Sequence, residues 1–209
     1  MSFPYARTYD EVHLYLSLRP CVCGEGEFDE LSSDTGLVGG VLVERFTGTC
    51  LGCARLREFT FQMSDRPREV SFDIRYGLDD EPSRLIDAGE WLAVSELYGQ
   101  AATEELDGEP LEDPDDVERL LYTVTSAIAA LDEVAKFIPA GADVVPEGAF
   151  WTPAGRMLWE AEEARFTREA LAADRERLLG RLAVFERRYG VPDGPPPGGS
   201  PGGGVDRPS

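Results

Sequence analysis

The apolar positions in the first third of the chain follow one helical segment and then several short alternating segments. Thr8 with Glu11 three residues on has the pattern of a helix capping box, and the helix is expected to end before Pro20. Alternation of apolar and polar residues then predicts four strands, over residues 27–31, 41–46, 57–63 and 70–76. The polar, glycine-bearing segment 32–40 is predicted to be a hairpin loop.

After residue 85 the period of the apolar positions becomes helical. Helices are predicted after a capping box at Asp87 and Glu90, over residues 117–137, from Thr152 and Pro153, and from Thr167 to about Gly190. Residues 104–116 are expected to be irregular because they hold glycine and prolines among dense acids. Strands that come early and helices that come late favour an α+β fold.

The predicted architecture is an N-terminal helix, a small antiparallel sheet and a C-terminal helical part. We expect residues 1–76 to form the helix and β module, and residues 77–190 to pack on it around a shared core, since no long linker separates them. Residues 191–209 are rich in proline and glycine, which predicts a disordered tail.

Charge narrows the classes of function. The 209 residues contain 40 acids and 20 bases, a net charge of -20. Phosphates would be repelled over most of such a surface, which argues against duplex DNA and against an anionic membrane as partner. The sequence has no apolar run of membrane-spanning length and no basic head followed by an apolar stretch at its start, so a cytoplasmic protein is expected.

All the cysteines lie in two close pairs within the predicted strand region. They form a C-x-C pair, Cys21 and Cys23, and a C-x2-C pair, Cys50 and Cys53. Zn²⁺ prefers four soft ligands in a tetrahedron, and two thiolate pairs supply them. Four cysteines would close the coordination sphere, so the predicted zinc site is structural. Two disulfides, and unliganded or redox-active thiols, are the alternatives.

The cysteine pairs and the strands that follow them resemble a zinc ribbon over residues 21–63. The first pair departs from the usual ribbon, because it has one residue between the cysteines where two are common. Arg55 and Arg57 beside the second pair are candidates to offset the negative charge of the thiolates, or are ordinary surface residues. With Arg45, Arg66 and Arg68 they also support an alternative function, a ribbon-type regulator associated with nucleic acid.

A dense acidic run in the middle of the chain is the second candidate site. We interpret it either as a solvated loop or as a docking surface for a basic partner. The docking residues are Glu104, Glu105, Asp107, Glu109, Glu112, Asp113, Asp115 and Asp116. Trp91, Tyr98 and Tyr122 would flank them as aromatic anchors. Trp91 lies within a predicted helix, which is also typical of a core residue.

No catalytic motif stands in the sequence. The chain has a single histidine, His13, and neither a G-x-S-x-G nor a phosphate-binding glycine motif. An enzyme that uses unassigned carboxylates stays open as an alternative. The segments Ser83–Leu92 and Ala149–Arg156 resemble uncharacterised proteins of high-GC bacteria, to which no activity attaches.

Elimination therefore favours a non-catalytic acidic protein that binds a basic protein. In size and charge the chain is similar to bacterial immunity proteins that neutralise secreted toxins, so a toxin inhibitor is the expected role.

Overall fold

The computed structural model describes residues 3–64, 76–77 and 79–190 and has the predicted α+β architecture. The strands are β1 (Tyr5–Ala6), β2 (Phe28–Val38), β3 (Val41–Cys50) and β4 (Leu56–Met63). The helices are α1 (Tyr9–Ser17), α2 (Ala88–Asp107), α3 (Pro114–Ala135), α4 (Pro153–Glu162) and α5 (Arg168–Tyr189). Short 3₁₀ helices at Glu147–Ala149 and Glu163–Phe166 flank α4.

The sheet has the strand order β1-β4-β3-β2 and is mixed, not purely antiparallel as predicted. β2, β3 and β4 pair antiparallel, whereas β1 runs parallel to β4 over the pairs Tyr5–Gln62 and Ala6–Met63. Sequence periodicity did not reveal β1 because two residues are too short to show alternation.

The prediction of a loop over residues 32–40 is wrong. β2 continues to Val38 and β3 begins at Val41, so the turn consists of Gly39 and Gly40 alone. Their φ values of 62° and 82° are those of a two-residue hairpin turn. The polar residues before this turn lie on an exposed strand, which needs no apolar alternation. The strand predicted over 70–76 and the tail 191–209 lie outside the described residues, apart from Tyr76, which is in no strand.

The predicted helix starts are confirmed by their caps. Thr8, Asp87, Thr152 and Thr167 each accept a hydrogen bond from a backbone N–H in the first turn of their helix. The irregular segment predicted over 104–116 is shorter, because α2 extends to Asp107 and α3 already begins at Pro114. Proline in the first turn of a helix loses no hydrogen bond, so Pro114 starts α3.

A single cluster of buried side chains joins the sheet to the helices. It includes Phe46 and Phe61 from the sheet, Trp91 from α2, Leu131 from α3 and Phe150 before α4. Two ion pairs fasten the N-terminal segment to the helices. Arg7 contacts Glu133 of α3 at 2.8 Å, and Arg19 contacts both carboxylate oxygens of Glu90 in α2 at 2.7 and 3.0 Å.

Candidate metal centre

The structure brings the four predicted cysteines together. Cys21 and Cys23 lie in the segment between α1 and β2, Cys50 ends β3, and Cys53 lies in the turn before β4. Their sulfur atoms are all within 4.8 Å of one another. The Sγ atoms of Cys21 and Cys53 are 3.7 Å apart, and those of Cys23 and Cys50 are 3.5 Å apart.

These distances fit a tetrahedral metal site. A Zn–S bond of about 2.3 Å in a regular tetrahedron places the sulfur atoms about 3.8 Å apart. A disulfide requires about 2.05 Å between the sulfur atoms, and all four cysteines are free. The cluster could therefore hold a metal ion such as zinc, and four thiols of this spacing are the donor set that zinc prefers.

Each cysteine pair is held by a tight backbone turn. The N–H of Gly24 donates to the Cys21 carbonyl at 2.8 Å, and the N–H of Ala54 donates to the Cys50 carbonyl at 2.8 Å. Gly24 has φ 92°, a left-handed conformation that favours glycine, whereas in the second turn the left-handed residue is Ala54, with φ 55°.

Gly52 is not the left-handed residue of the second turn, but its lack of a side chain provides space between the two turns. It lies where the two turns approach each other: a side-chain carbon there would be 3.1 Å from the Cβ of Glu25 and 3.6 Å from the Cys23 sulfur. Glycine at this position lets the two cysteine pairs close on one point. No sequence pattern predicts this approach, because Glu25 is distant from Gly52 along the chain.

The electrostatics of the cluster favour a bound cation. The backbone N–H of Cys23 and the neighbouring thiols stabilise the Cys21 thiolate and lower its pKa to about 7. At Cys53 the N–H of Arg55 lowers the pKa, but the other three sulfur atoms outweigh it and raise the pKa to about 12. Four sulfur atoms this close cannot all ionise without a positive charge among them.

Arg57 orders the backbone of the first cysteine pair. Its buried guanidinium lies 4.0 Å from the ring centre of Phe28 and 5.3 Å from that of Phe59. It donates to the carbonyls of Gly26 and Arg19, on either side of the first pair. Its buried position removes it from the surface that a nucleic-acid-binding patch would need.

Only two of the other four arginines of the predicted nucleic-acid-binding patch lie in the described part of the chain. Arg45 and Arg55 are exposed, and Arg66 and Arg68 lie outside the described residues.

A chain of polar contacts leads from the cysteines to the helical part. Arg57 binds the carbonyl of Arg19, and Arg19 binds Glu90 of the α2 capping box. The other member of that box, the fully buried Asp87, accepts hydrogen bonds from the N–H and the hydroxyl of Thr152, both at 2.7 Å. Asp87 therefore joins the starts of α2 and α4.

The contact between the two helix starts is close. A methyl group on Gly89 would overlap the backbone of Gly155, and one on Gly155 would overlap the Asp87 carboxylate. The segments 83–92 and 149–156 thus form one packed junction. Sequence patterns predicted the capping box but not this contact, which is long-range.

The acidic run is partly neutralised in the fold. Arg119 pairs with Glu105 at 3.0 Å and with Asp116 at 2.5 Å, and Arg181 of α5 pairs with Asp107 at 2.9 Å. Asp113 caps α3 by accepting from the N–H of Asp115. No ion-pair partner is found among residues 3–64, 76–77 and 79–190 for the other predicted docking residues, Glu104, Glu109, Glu112 and Asp115.

The predicted aromatic anchors differ in exposure. Trp91 is fully buried and cannot contact a partner, Tyr98 is half-buried, and Tyr122 is exposed. The lone histidine, His13, lies on the exposed side of α1 with its ring edge-on to Phe46 at 5.9 Å.

A cavity of about 370 Å³ lies between α2 and α5. Its three arginines already have carboxylate partners: Arg165 with Glu96 and Asp174, Arg177 with Asp174, and Arg181 with Asp107. The cavity therefore offers no free positive charge to a ligand, and Glu104, which also lines it, is the acid without an ion-pair partner among the described residues.

Comparison of the chain with protein-family models, with curated proteins and with solved structures finds no match in any of the three. The resemblance to zinc ribbons and to proteins of high-GC bacteria stays a prediction. Within the described part of the chain, every helix is too short or too polar to cross a membrane.

Proposed function

We propose that the protein binds one structural Zn²⁺ ion through Cys21, Cys23, Cys50 and Cys53 and acts without catalysis, as a binding protein for a basic partner. The observation that carries the proposal is the convergence of the four sulfur atoms within 4.8 Å. Four thiolates fill the coordination sphere and leave no position for water or substrate, which supports a structural role.

The arrangement around the cysteines supports a ribbon-type module. The first cysteine pair is followed by β2 and the second by β4, and both turns are closed by backbone hydrogen bonds. Arg57 and Arg19 link this module to the start of α2, so the metal would stabilise more than its own turns. Thiolates persist in a reducing compartment, which favours the cytoplasm as location.

The proposed docking surface is the acidic segment 104–116, which comprises the end of α2, the connection to α3 and the first turn of α3. Four of its acids, Glu104, Glu109, Glu112 and Asp115, have no ion-pair partner among the described residues. The connection is held in place, because the N–H of Leu111 donates to the Tyr189 hydroxyl of α5 at 3.0 Å. Fixed, uncompensated carboxylates speed the encounter with a basic protein. A basic toxin is such a partner, and an immunity protein or inhibitor is the specific role proposed.

The test is binding kinetics with the partner captured from the native cell. In one variant Glu112, Asp113, Asp115 and Asp116 are replaced by their amides, and Asn at 113 still caps α3. The matched control replaces four exposed glutamates of the helical part, Glu160, Glu169, Glu176 and Glu186.

We expect the first variant to associate more slowly by at least ~10-fold at low salt, with a weaker dependence on salt, and the control to change little. Equal association rates for the two variants would show that the partner docks elsewhere.

A further inference from the structure

The outer strand of the sheet, β2, is an open edge. It pairs with β3 on one side and with no described strand on the other. Strands usually have about 3–10 residues, whereas β2 has eleven, of which eight are exposed and none is buried. It contains no proline and no lysine, the residues that commonly block an edge, and its one irregularity lies between Asp29 and Ser32.

The register shows which backbone groups of β2 are open. Pairing is regular from Ser32 to Val38, and the two-residue turn makes Val38 and Val41 a hydrogen-bonded pair. Bonded and non-bonded pairs alternate along an antiparallel ladder. The N–H and C=O groups of Ser33, Thr35 and Leu37 therefore point away from β3, toward the open edge.

The side chains along this edge determine which charge a partner strand should carry. Glu27, Asp29, Glu30 and Asp34 are exposed, and residues 25–47 hold six acids against one base, Arg45. A second copy of the chain would bring the same acids against them. A basic strand would neutralise them, so the edge favours a basic partner over self-association.

The end of the hairpin adds apolar contact area. Leu37 is 73% exposed and Val38 is 48% exposed, beside Val41 and Leu42, which are 36% exposed. An added strand that alternates basic and aliphatic residues would place its aliphatic side chains against this tip and its bases near the carboxylates.

We propose that β2 binds an extended basic segment of a partner protein, which adds to the sheet as a further strand. This rests on the proposed function in that the partner is basic, but the contact lies on β2 and not on residues 104–116. Main-chain hydrogen bonds from Ser33, Thr35 and Leu37 supply the attachment, and the carboxylates select the charge.

The probe is a capped heptapeptide of alternating lysine and valine, titrated into the full chain and followed by amide NMR and calorimetry. Its control is the same peptide with every internal amide N-methylated, which keeps the side chains and charge but removes the N–H donors. We expect shifts at the amides of Ser33, Thr35 and Leu37, and binding of the methylated peptide weakened at least ~10-fold, because several hydrogen bonds are lost.

Paired variants of the protein test the same contact from its other side. Leu37→Pro and Leu37→Ala both remove the exposed side chain, but only the proline removes the outward N–H. We expect Leu37→Pro to weaken peptide binding roughly 2- to 10-fold more than Leu37→Ala. Asp34→Asn should weaken it and reduce its salt dependence.

Equal binding of the two peptides, or no binding of either, overturns strand addition. Shifts confined to residues 104–116 also overturn it, but leave the proposed function standing. A third outcome is that the peptide binds at β2 while the variant with amides at positions 112, 113, 115 and 116 associates normally with the native partner. That outcome supports strand addition at β2 and refutes the proposed docking surface.

Discussion

Replacing Asp87 with alanine is expected to be among the most costly alanine replacements of a helix cap in this chain, because Asp87 joins the starts of two helices. Like Asp113, it caps a helix by accepting a backbone N–H. Unlike Asp113, it is fully buried and also accepts the N–H and hydroxyl of Thr152. Both Asp87→Ala and Asp113→Ala therefore remove a helix cap, but only Asp87→Ala also removes the hydrogen bonds to Thr152.

The magnitude follows from the bonds that each replacement removes. Losing an Asp cap costs about 1 kcal/mol, which is the full cost expected for Asp113→Ala. A hydrogen bond to a charged acceptor contributes about 1.5–3 kcal/mol. Water can reach the half-buried Thr152 and replace part of its two bonds, so together they count as about one such bond. We therefore expect Asp87→Ala to lower the free energy of unfolding by about 3–4 kcal/mol.

Thermal and urea denaturation of the two variants measure this difference. At this chain length the melting temperature should fall by roughly 6–16 °C for Asp87→Ala and by roughly 2–4 °C for Asp113→Ala. Equal losses for the two variants would refute the junction between α2 and α4, even if both helices are capped as described.

Three further predictions each rest on a comparison between proteins that differ at one position. Arg57→Ala should lower the free energy of unfolding by about 2–3 kcal/mol in urea titrations, because a buried, stacked guanidinium is lost. Arg55 is exposed, so Arg55→Ala should change the free energy of unfolding by less than about 0.5 kcal/mol. Similar losses for the two variants would contradict the role of Arg57 in ordering the first cysteine pair. Gly40→Ala should lower the free energy of unfolding by about 1–2 kcal/mol, because Gly40 has φ 82°. Gly180 lies on α5 with open space around it, so Gly180→Ala should raise the free energy of unfolding by about 0.5–1 kcal/mol. Calorimetry that shows the same sign for both variants would contradict these backbone conformations. Burial alone would raise the pKa of the Glu44 carboxyl, but hydrogen bonds from Thr35, Ser33 and Tyr9 lower it. The carboxylate therefore stabilises the fold above pH 4.5, and this stabilisation is lost as the pH falls through the depressed pKa. The difference in unfolding free energy between wild type and Glu44→Gln should shrink from pH 7 to pH 3, and a constant difference would be inconsistent with this.

Sequence patterns predicted the parts of the fold that depend on local chemistry. The caps at Thr8, Asp87 and Thr152 follow from residues within one helical turn, and the cysteine pairs follow from their spacing. Charge along the chain also identified the acidic run. It could not show that Arg119 and Arg181 fold back against it, because those contacts depend on how the helices pack.

The features that were missed depend on contacts between distant residues or on exposure. β1 pairs over two residues only, and β2 carries serine, aspartate and threonine because one side of it is open. The junction of Gly89 with Gly155 leaves no local signal in either helix. Of the two interpretations of Trp91, a core residue and an anchor beside the acids, the core is confirmed, because its ring is fully buried where a large apolar side chain stabilises most.

The metal content of the purified chain tests the central claim most directly. Elemental analysis should find one zinc per chain in the wild type and none in Cys50→Ser, with a lower melting temperature in the variant, since binding energy at such a site is folding energy. Serine keeps the size of the side chain and removes the thiolate, so the loss reports the ligand. Wild-type protein purified without stoichiometric zinc, with its four cysteines free or in disulfides, would contradict the claim.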